Sequence, residues 1–278
     1  MAGGSAGRDD AEQGERRDGR HVTDLFLAPH YDDVALSCGG TVAALAQRGA
    51  PPLVVTVFGG EPTTTDLTAF ARWQHERWGT GEGDTVATRL DEEHAAAAAL
   101  GCATATLPFL DAIYRGDAYR SDEALFGAID PADAALPARI ADSLLALPAL
   151  VNADPDAVNI FVPLAIGNHV DHQIVYTVGR TLAARGWRVL AYEDFPYAML
   201  ADATTRRLAA VGHELGEAEA RSVAATLAQR VAAIGAYGSQ LPVIFRFTDD
   251  WPGAVAAHAF ALGAGQEAME RFWSLGRV

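Results

Sequence analysis

A mostly parallel α/β sheet sandwiched between helices in three layers is predicted by three features of this sequence. Five short apolar runs of strand length recur along it: Leu25 to Ala28, Leu53 to Phe58, Ala103 to Leu107, Val158 to Val162 and Arg188 to Tyr192. Segments of helical patterning separate them, and strands alternating with helices read as parallel βαβ units. No internal repeat and no linker rich in Pro, Gly or Ser divides the 278 residues, so a single domain over residues 22–278 is expected.

Each element has a local reason. Leu25 to Ala28 is a buried strand that breaks at Pro29, and a helical pattern with Val34, Leu36, Gly39 and Gly40 follows and runs to Arg48. Leu53 to Phe58 is a continuous β-branched run, as suits a strand covered on both faces, and Gly59 and Gly60 end it. The segment from Glu61 to Asp84 has no clean period; Trp73 and Trp78 in it fit either a functional loop or a packed helix face. Thr85 to Leu100 reads as a helix capped by Gly101, and Ala134 to Leu147 as another with Pro137 in its first turn. Gln173 to Ala184 is helical. Beyond Arg206, His213 to Ala236 reads as a long helix, Val243 to Phe247 as a strand, and Gln266 to Trp273 as a short terminal helix.

Half of the residues are hydrophobic, the formal net charge is −15, and all 21 basic residues are arginine. That balance argues against nucleic acid or an anionic membrane surface as a partner. No apolar run approaches the roughly 20 residues a membrane helix needs. Residues 1–21 are polar, charged and Gly-rich, lack the apolar stretch of a secretory signal, and read as a disordered tail. A cytoplasmic protein is expected. Cys38 and Cys102 have no metal-type spacing and read as buried, reduced thiols. The apolar last 40 residues fit either the core or an interface between copies of the chain.

Two strand ends carry titratable clusters. His30, Asp32 and Asp33 follow the first strand, and His169, Asp171 and His172 follow the strand at Val158. In open α/β sheets ligands collect beyond the carboxyl ends of the strands, so the two clusters can share one rim. A catalytic zinc takes three His, Asp, Glu or Cys ligands and leaves a position for water. His30, Asp33 and one of the two later histidines would satisfy that and leave two carboxylates and an imidazole free for proton transfer. The competing reading makes these residues helix caps and turn carboxylates, with Asp32 and Asp33 capping the first helix. A phosphate-binding GxGxxG is absent after the first strand, and no GxSxG elbow appears.

PHYDDVALSCGG followed by GNHVDH resembles the PIG-L (LmbE-like) family of zinc-dependent N-deacetylases. Arg89-x-x-Glu92 before Leu100-Gly101, the aspartate of FLD and the late YGSQ are also similar to family features. The resemblance implies a single Rossmann-like domain and one Zn2+ per chain, with iron or cobalt fitting the same donors. It implies His30, Asp33 and His172 as metal ligands and Asp32 as the general base. It further implies His169 as the group that stabilises the oxyanion and protonates the leaving amine, with Asp171 holding His169 cationic and oriented. Asp111, Tyr114 and Glu193 are the candidate substrate contacts, at the pocket rim.

The implied substrate is a small N-acylated amino sugar or glycoconjugate, since FLDAIYR, IGNHVDH and YEDFPY look most like the sugar deacetylases of antibiotic pathways. A zinc amidase acting on a non-sugar metabolite is the alternative. Three departures stand out: Tyr31 replaces the usual proline, Val34 replaces an acidic residue, and VFGGEP lacks the arginine that many relatives use to grip substrate. The last argues against a thiol-cofactor or inositol-linked sugar.

Overall fold

The computed structural model describes residues 23–63, 66–81 and 84–276. The expected tail, residues 1–21, lies outside them. In chain order the elements are β1 (Thr23–Ala28), α1 (Asp33–Gln47), β2 (Leu53–Thr56), α2 (Ala69–Trp78), α3 (Thr85–Leu100), β3 (Ala103–Thr106), α4 (Asp122–Leu125), α5 (Leu136–Leu145), β4 (Val158–Pro163), α6 (Val170–Ala184), β5 (Arg188–Tyr192), α7 (Ala203–Val211), β6 (Leu215–Ser222), α8 (Leu227–Ile234), α9 (Leu241–Ile244), α10 (Trp251–Leu262) and β7 (Met269–Leu275).

The strands form one sheet in the order β3-β2-β1-β4-β5-β7-β6. β1 to β5 are parallel, and β7 and β6 close one edge antiparallel. The three-layer, mostly parallel expectation therefore holds. Side-chain alternation along β1 explains the layers. Leu25 and Leu27 pack into the core under α5 and α6, with Ile160, Val162, Ile174 and Val178. Phe26 and Ala28 face the opposite core under α1, α3 and α8, where the Phe26 and Phe161 rings stack 4.1 Å apart.

The chain runs outward from β1 in both directions, to β2 and β3 on one side and to β4 and β5 on the other. That reversal of strand order opens a crevice beyond the carboxyl ends of β1 and β4. The two titratable loops follow these two adjacent strands.

Helix α1 is two helical pieces joined at Cys38, whose φ −145°, ψ 23° is not helical. The break frees backbone groups that must find partners inside the protein. Glu270 of β7 accepts the N–H groups of Gly40 (3.0 Å) and Thr41 (2.8 Å) and the Thr41 hydroxyl (2.6 Å). Arg230 of α8 donates to Leu36 O and pairs with Glu270 at 3.2 Å. A Cβ on Gly40 would come 2.7 Å from Val223 Cβ, so this turn needs glycine.

Three expectations are corrected. The long helix over 213–236 is instead β6 followed by α8, and the terminal helix over 266–273 is β7. β6 is rich in Glu and Ala and β7 contains Met, Glu, Arg and Leu, residues that favour helix alone; the pairing of β6 with β7 and of β7 with β5 overrides that preference. The strand over 243–247 is replaced by α9, with Pro242 in its first turn. Residues 69–78 of the aperiodic segment form α2, so the packed-helix alternative describes Trp78, whereas Trp73 is 41% exposed. Both cysteines are free. Among the described residues no helix is long and apolar enough to cross a membrane.

Candidate metal and catalytic site

Pro29 ends β1, and the chain turns on Asp33, whose Oδ2 accepts the His30 N–H at 2.7 Å. The carboxylate then lies between two imidazoles, with Oδ2 3.3 Å from His30 Nδ1 and Oδ1 3.3 Å from His172 Nε2. His172, in the first turn of α6, donates from Nδ1 to Asp194 Oδ1 at 2.6 Å, and Asp194 Oδ2 takes the Ile166 N–H at 3.0 Å. A ring nitrogen held by a carboxylate leaves the other with its lone pair, the arrangement metal-ligating histidines use.

One donor atom from each of His30, Asp33 and His172 lies within 4.8 Å of the others, and all three residues are buried. Burial disfavours the His172 imidazolium, yet Asp33 and Asp194 outweigh it and push its pKa up to about 10. Burial acts the same way on His30, but Asp111, Asp171 and Asp33 raise it well above its ordinary value. Asp33 is held well below the carboxylate range by His172 and His30 against its own burial. This cluster demands positive charge, which protons or a divalent cation can supply, and two imidazoles with a carboxylate fit a catalytic divalent site.

His30, His169 and Asp171 also approach within 4.8 Å, but His169 Nδ1 and the Asp171 carboxylate are already engaged. His169 caps α6 by accepting the Asp171 N–H on Nδ1 at 3.2 Å. In the neutral ring the proton is then on Nε2, which becomes a donor. Burial first, and His30 second, lower its pKa to about 3. Asp171 is within 2.6 Å of Arg115 Nη2 and 3.0 Å of both His30 Nε2 and the Ala112 N–H. Despite burial, Arg115 holds it below the usual carboxylate range. The expected grip of the Asp171 carboxylate on a cationic His169 is thus replaced by contacts to Arg115, Ala112 and His30.

Asp32 makes no capping hydrogen bond to α1, which removes the helix-cap reading for it. Its Oδ1 lies 3.4 Å from Arg89 Nη2 of α3. Burial raises its pKa, with Arg89 opposing. Asp111 lines the pocket: Oδ1 accepts the Ile113 N–H at 3.2 Å, and Oδ2 lies 3.7 Å from His30 Nε2. The pocket wall also includes Gln74, Trp78, Tyr197, Gln240 and Ile244; of these, Trp78, Tyr197 at the end of YEDFPY and Gln240 at the end of YGSQ were marked by the sequence, whereas Gln74 and Ile244 were not.

Two expected substrate contacts are corrected. Tyr114 does not line the pocket; its hydroxyl is 2.6 Å from His75 Nε2. Glu193 is bound bidentately by Arg271 at 2.6 and 3.0 Å and accepts Trp273 Nε1–H at 3.0 Å. Successive residues of an extended chain point to opposite sides, so Glu193 turns to the antiparallel edge while Asp194 reaches His172.

Behind the loop, the Tyr237 hydroxyl is 2.8 Å from Tyr31 O and 2.5 Å from Glu93 Oε2. A hydroxyl has one proton and the carbonyl only accepts, so a protonated Glu93 completes the chain by donating to Tyr237. Burial, reinforced by Asp32, pushes the Glu93 pKa up to about 8 from 4.5. The folded state therefore holds a proton that the unfolded chain has lost. Stability from this group is fully present below pH 4.5 and is lost as pH rises through 8. Wild type should lose about 2 kcal/mol between pH 6 and 8 from Glu93, and Glu93→Gln should flatten that part of the profile in urea melts. An equally steep loss in the variant would assign it to another group.

A family model described as PIG-L, GlcNAc-PI de-N-acetylase, matches residues 25–183. The chain is 34% identical over 188 residues to a 2'-N-acetylparomamine deacetylase of Niallia circulans, spanning 62% of this chain and 66% of that one. A protein of the same name from Streptomyces fradiae is 29% identical over 272 residues, 90% of this chain and 88% of its own. A solved deacetylase of the teicoplanin biosynthesis pathway superposes with a TM-score of 0.77 at 27% identity, covering 92% of this chain and 98% of that one. The family match takes in both strand-end clusters and more than half of the sequence, and the chain belongs to the PIG-L family.

Proposed function

We propose that the protein is a metal-dependent N-deacetylase that removes the acyl group from an amino sugar, an N-acetylated aminoglycoside precursor being the favoured class. The observation that carries this reading is the meeting of His30, Asp33 and His172 with Asp32 in one pocket beyond β1 and β4. The formal charge of −15 suits a substrate whose remaining amines are protonated, as do the relatives named for N-acetylparomamine.

His30, Asp33 and His172 would hold the cation, with zinc the best match to two imidazoles and a carboxylate. Bound there, the cation would polarise the amide carbonyl and acidify water. Asp194 keeps His172 in the tautomer that presents Nε2. Asp32 takes the proton of the attacking water. His169 offers Nε2–H to the oxygen on which negative charge grows, as a neutral donor. A neutral imidazole is a poor proton donor to a leaving amine, so the proton gained by Asp32 returns through Asp32 itself. His169 thus keeps its expected oxyanion role and passes the acid role to Asp32.

Metal per chain by elemental mass spectrometry, with amine release from a panel of N-acetyl amino sugars and non-sugar amides, tests this reading. About one zinc per chain and turnover of the sugars is the expected result. A metal-loaded protein that acts only on a non-sugar amide would replace the amino-sugar reading with an amidase.

A further inference from the structure

Residues 124–127, where α4 ends, separate two hollows. Leu125 lines the catalytic pocket, while Ala124 and Gly127 line a second hollow of about 320 Å3. Phe126 stands between them and is 37% exposed. Its ring makes T-shaped contacts with two residues of the pocket wall, His169 at 5.3 Å and Tyr197 at 5.9 Å between centroids. An exposed aromatic ring thus forms the rim where the pocket gives way to the second hollow.

The turn that carries Phe126 is tied to the loop that carries His169. Asn168, in left-handed backbone at φ 62°, donates from Nδ2 to Phe126 O at 2.8 Å and to Gly127 O at 3.2 Å. Gln173 Nε2 donates to Gly127 O at 2.9 Å and to Asn168 O at 2.6 Å. These bonds fix the turn relative to the catalytic imidazole, so a ligand that rests on it has little ordering left to impose. The hollow beyond is acidic. Glu123 and Asp130 line it and no arginine does. The arginines nearest in sequence are committed, Arg115 to Asp133 and Asp171 and Arg120 to Asp117.

A six-membered sugar or cyclitol ring presents a face of C–H groups with partial positive charge, which suits the negative π face of an aromatic ring. Ammonium groups on that ring strengthen the contact and are drawn to carboxylates. We propose that Phe126 carries the second ring of a two-ring substrate, an aminocyclitol joined to the N-acylated sugar, with its ammonium groups turned to the hollow beside Glu123. The inference rests on the amino-sugar reading and deepens it by naming where the rest of the substrate binds. The ring beyond the acylated sugar is chosen at this rim, outside the metal cluster, so its recognition can be measured apart from the chemical step.

The test compares kcat/KM for the N-acetylglucosaminides of methanol, of a hydroxyl-only cyclitol and of a diaminocyclitol. Phe126 also packs against His169, so each variant is read by the ratio between substrates, in which an effect on the chemical step cancels. Wild type should prefer the diaminocyclitol glycoside to the methyl glycoside by about 10- to 30-fold. Phe126→Leu stays apolar but lacks the π face, and should narrow that preference to about threefold, while Phe126→Trp should restore it. Glu123→Gln, at an exposed position, should lower the preference for the diaminocyclitol over the hydroxyl-only cyclitol by about threefold, the scale of an exposed ion pair. It reads the same ring if Phe126→Leu fails to fold, as judged by its melting curve. Equal turnover of the methyl and cyclitol glycosides by wild type would overturn the proposal and leave the deacetylase reading standing. An unchanged ratio in folded Phe126→Leu would do the same. Turnover of no acylamino sugar at all would overturn the deacetylase reading itself, and this rim with it.

Discussion

His172→Ala is expected to remove metal and turnover together. The ring contributes Nε2 beside Asp33 at 3.3 Å and is locked by Asp194 at 2.6 Å. Alanine leaves one imidazole and one carboxylate from the protein, too few for a catalytic divalent site. Sharing the 10–16 kcal/mol typical of a structural zinc site among three or four ligands gives about 3–4 kcal/mol each, or roughly 200- to 1000-fold in affinity. Elemental analysis after dialysis against a weak chelator should fall from about one metal per chain to a small fraction of that. Asp194→Asn is the graded control: all three ligands stay and only the orienting carboxylate weakens, for which about 10- to 100-fold is typical. Full metal occupancy in His172→Ala under the same dialysis would move the site away from α6.

The centre of the molecule was legible because each signal there is local. Apolar runs of strand length, each ended by Pro or Gly, mark β1, β2 and β4, and parallel topology brings their ends to one rim. Gly40, within the helical pattern after β1, has no room for a Cβ beside Val223. The antiparallel edge was not legible. LGEAEARS and MERFWSL carry helix-favouring residues, and what makes them strands is pairing with partners dozens of residues away.

The same limit explains the errors at the site. Whether Glu193 or Asp194 faces His172 is decided by the direction of the chain leaving β5 and by the arrival of Arg271 from β7. Neither is written in YEDFPY. Asp171 and His169 are neighbours in a motif, which suggested a carboxylate–imidazole pair. Capping of α6 turns the His169 ring onto a backbone N–H instead. The diversion of the Asp171 carboxylate depends on Arg115, 56 positions earlier in the chain. Arg89 and Arg115 stand in stretches with family-like features, Arg89-x-x-Glu92 and FLDAIYR, but their contacts to Asp32 and Asp171 emerge only in the fold.

Asp32→Asn should keep the metal and lose turnover. The amide is nearly isosteric, the ligands His30, Asp33 and His172 are untouched, and Arg89 retains an oxygen to face. General-base catalysis is worth about 10²- to 10⁴-fold, and a residue that both takes and returns the proton belongs at the upper end. A kcat lowered by about 10³- to 10⁴-fold, with KM and metal content within a few-fold of wild type, is the expected result. The rising acid limb of the wild-type pH profile, set by ionisation of the base, should vanish as well. His169→Gln separates the two proton roles. Glutamine can still donate an N–H to the developing oxyanion but cannot deliver a proton, so a neutral-donor role predicts a loss well below that of Asp32→Asn, on the order of 10- to 100-fold. If His169→Gln were as inactive as Asp32→Asn, the histidine would be the acid after all. Near-normal turnover in metal-loaded Asp32→Asn would remove Asp32 from the chemistry, leaving Asp111 as the pocket carboxylate to examine next.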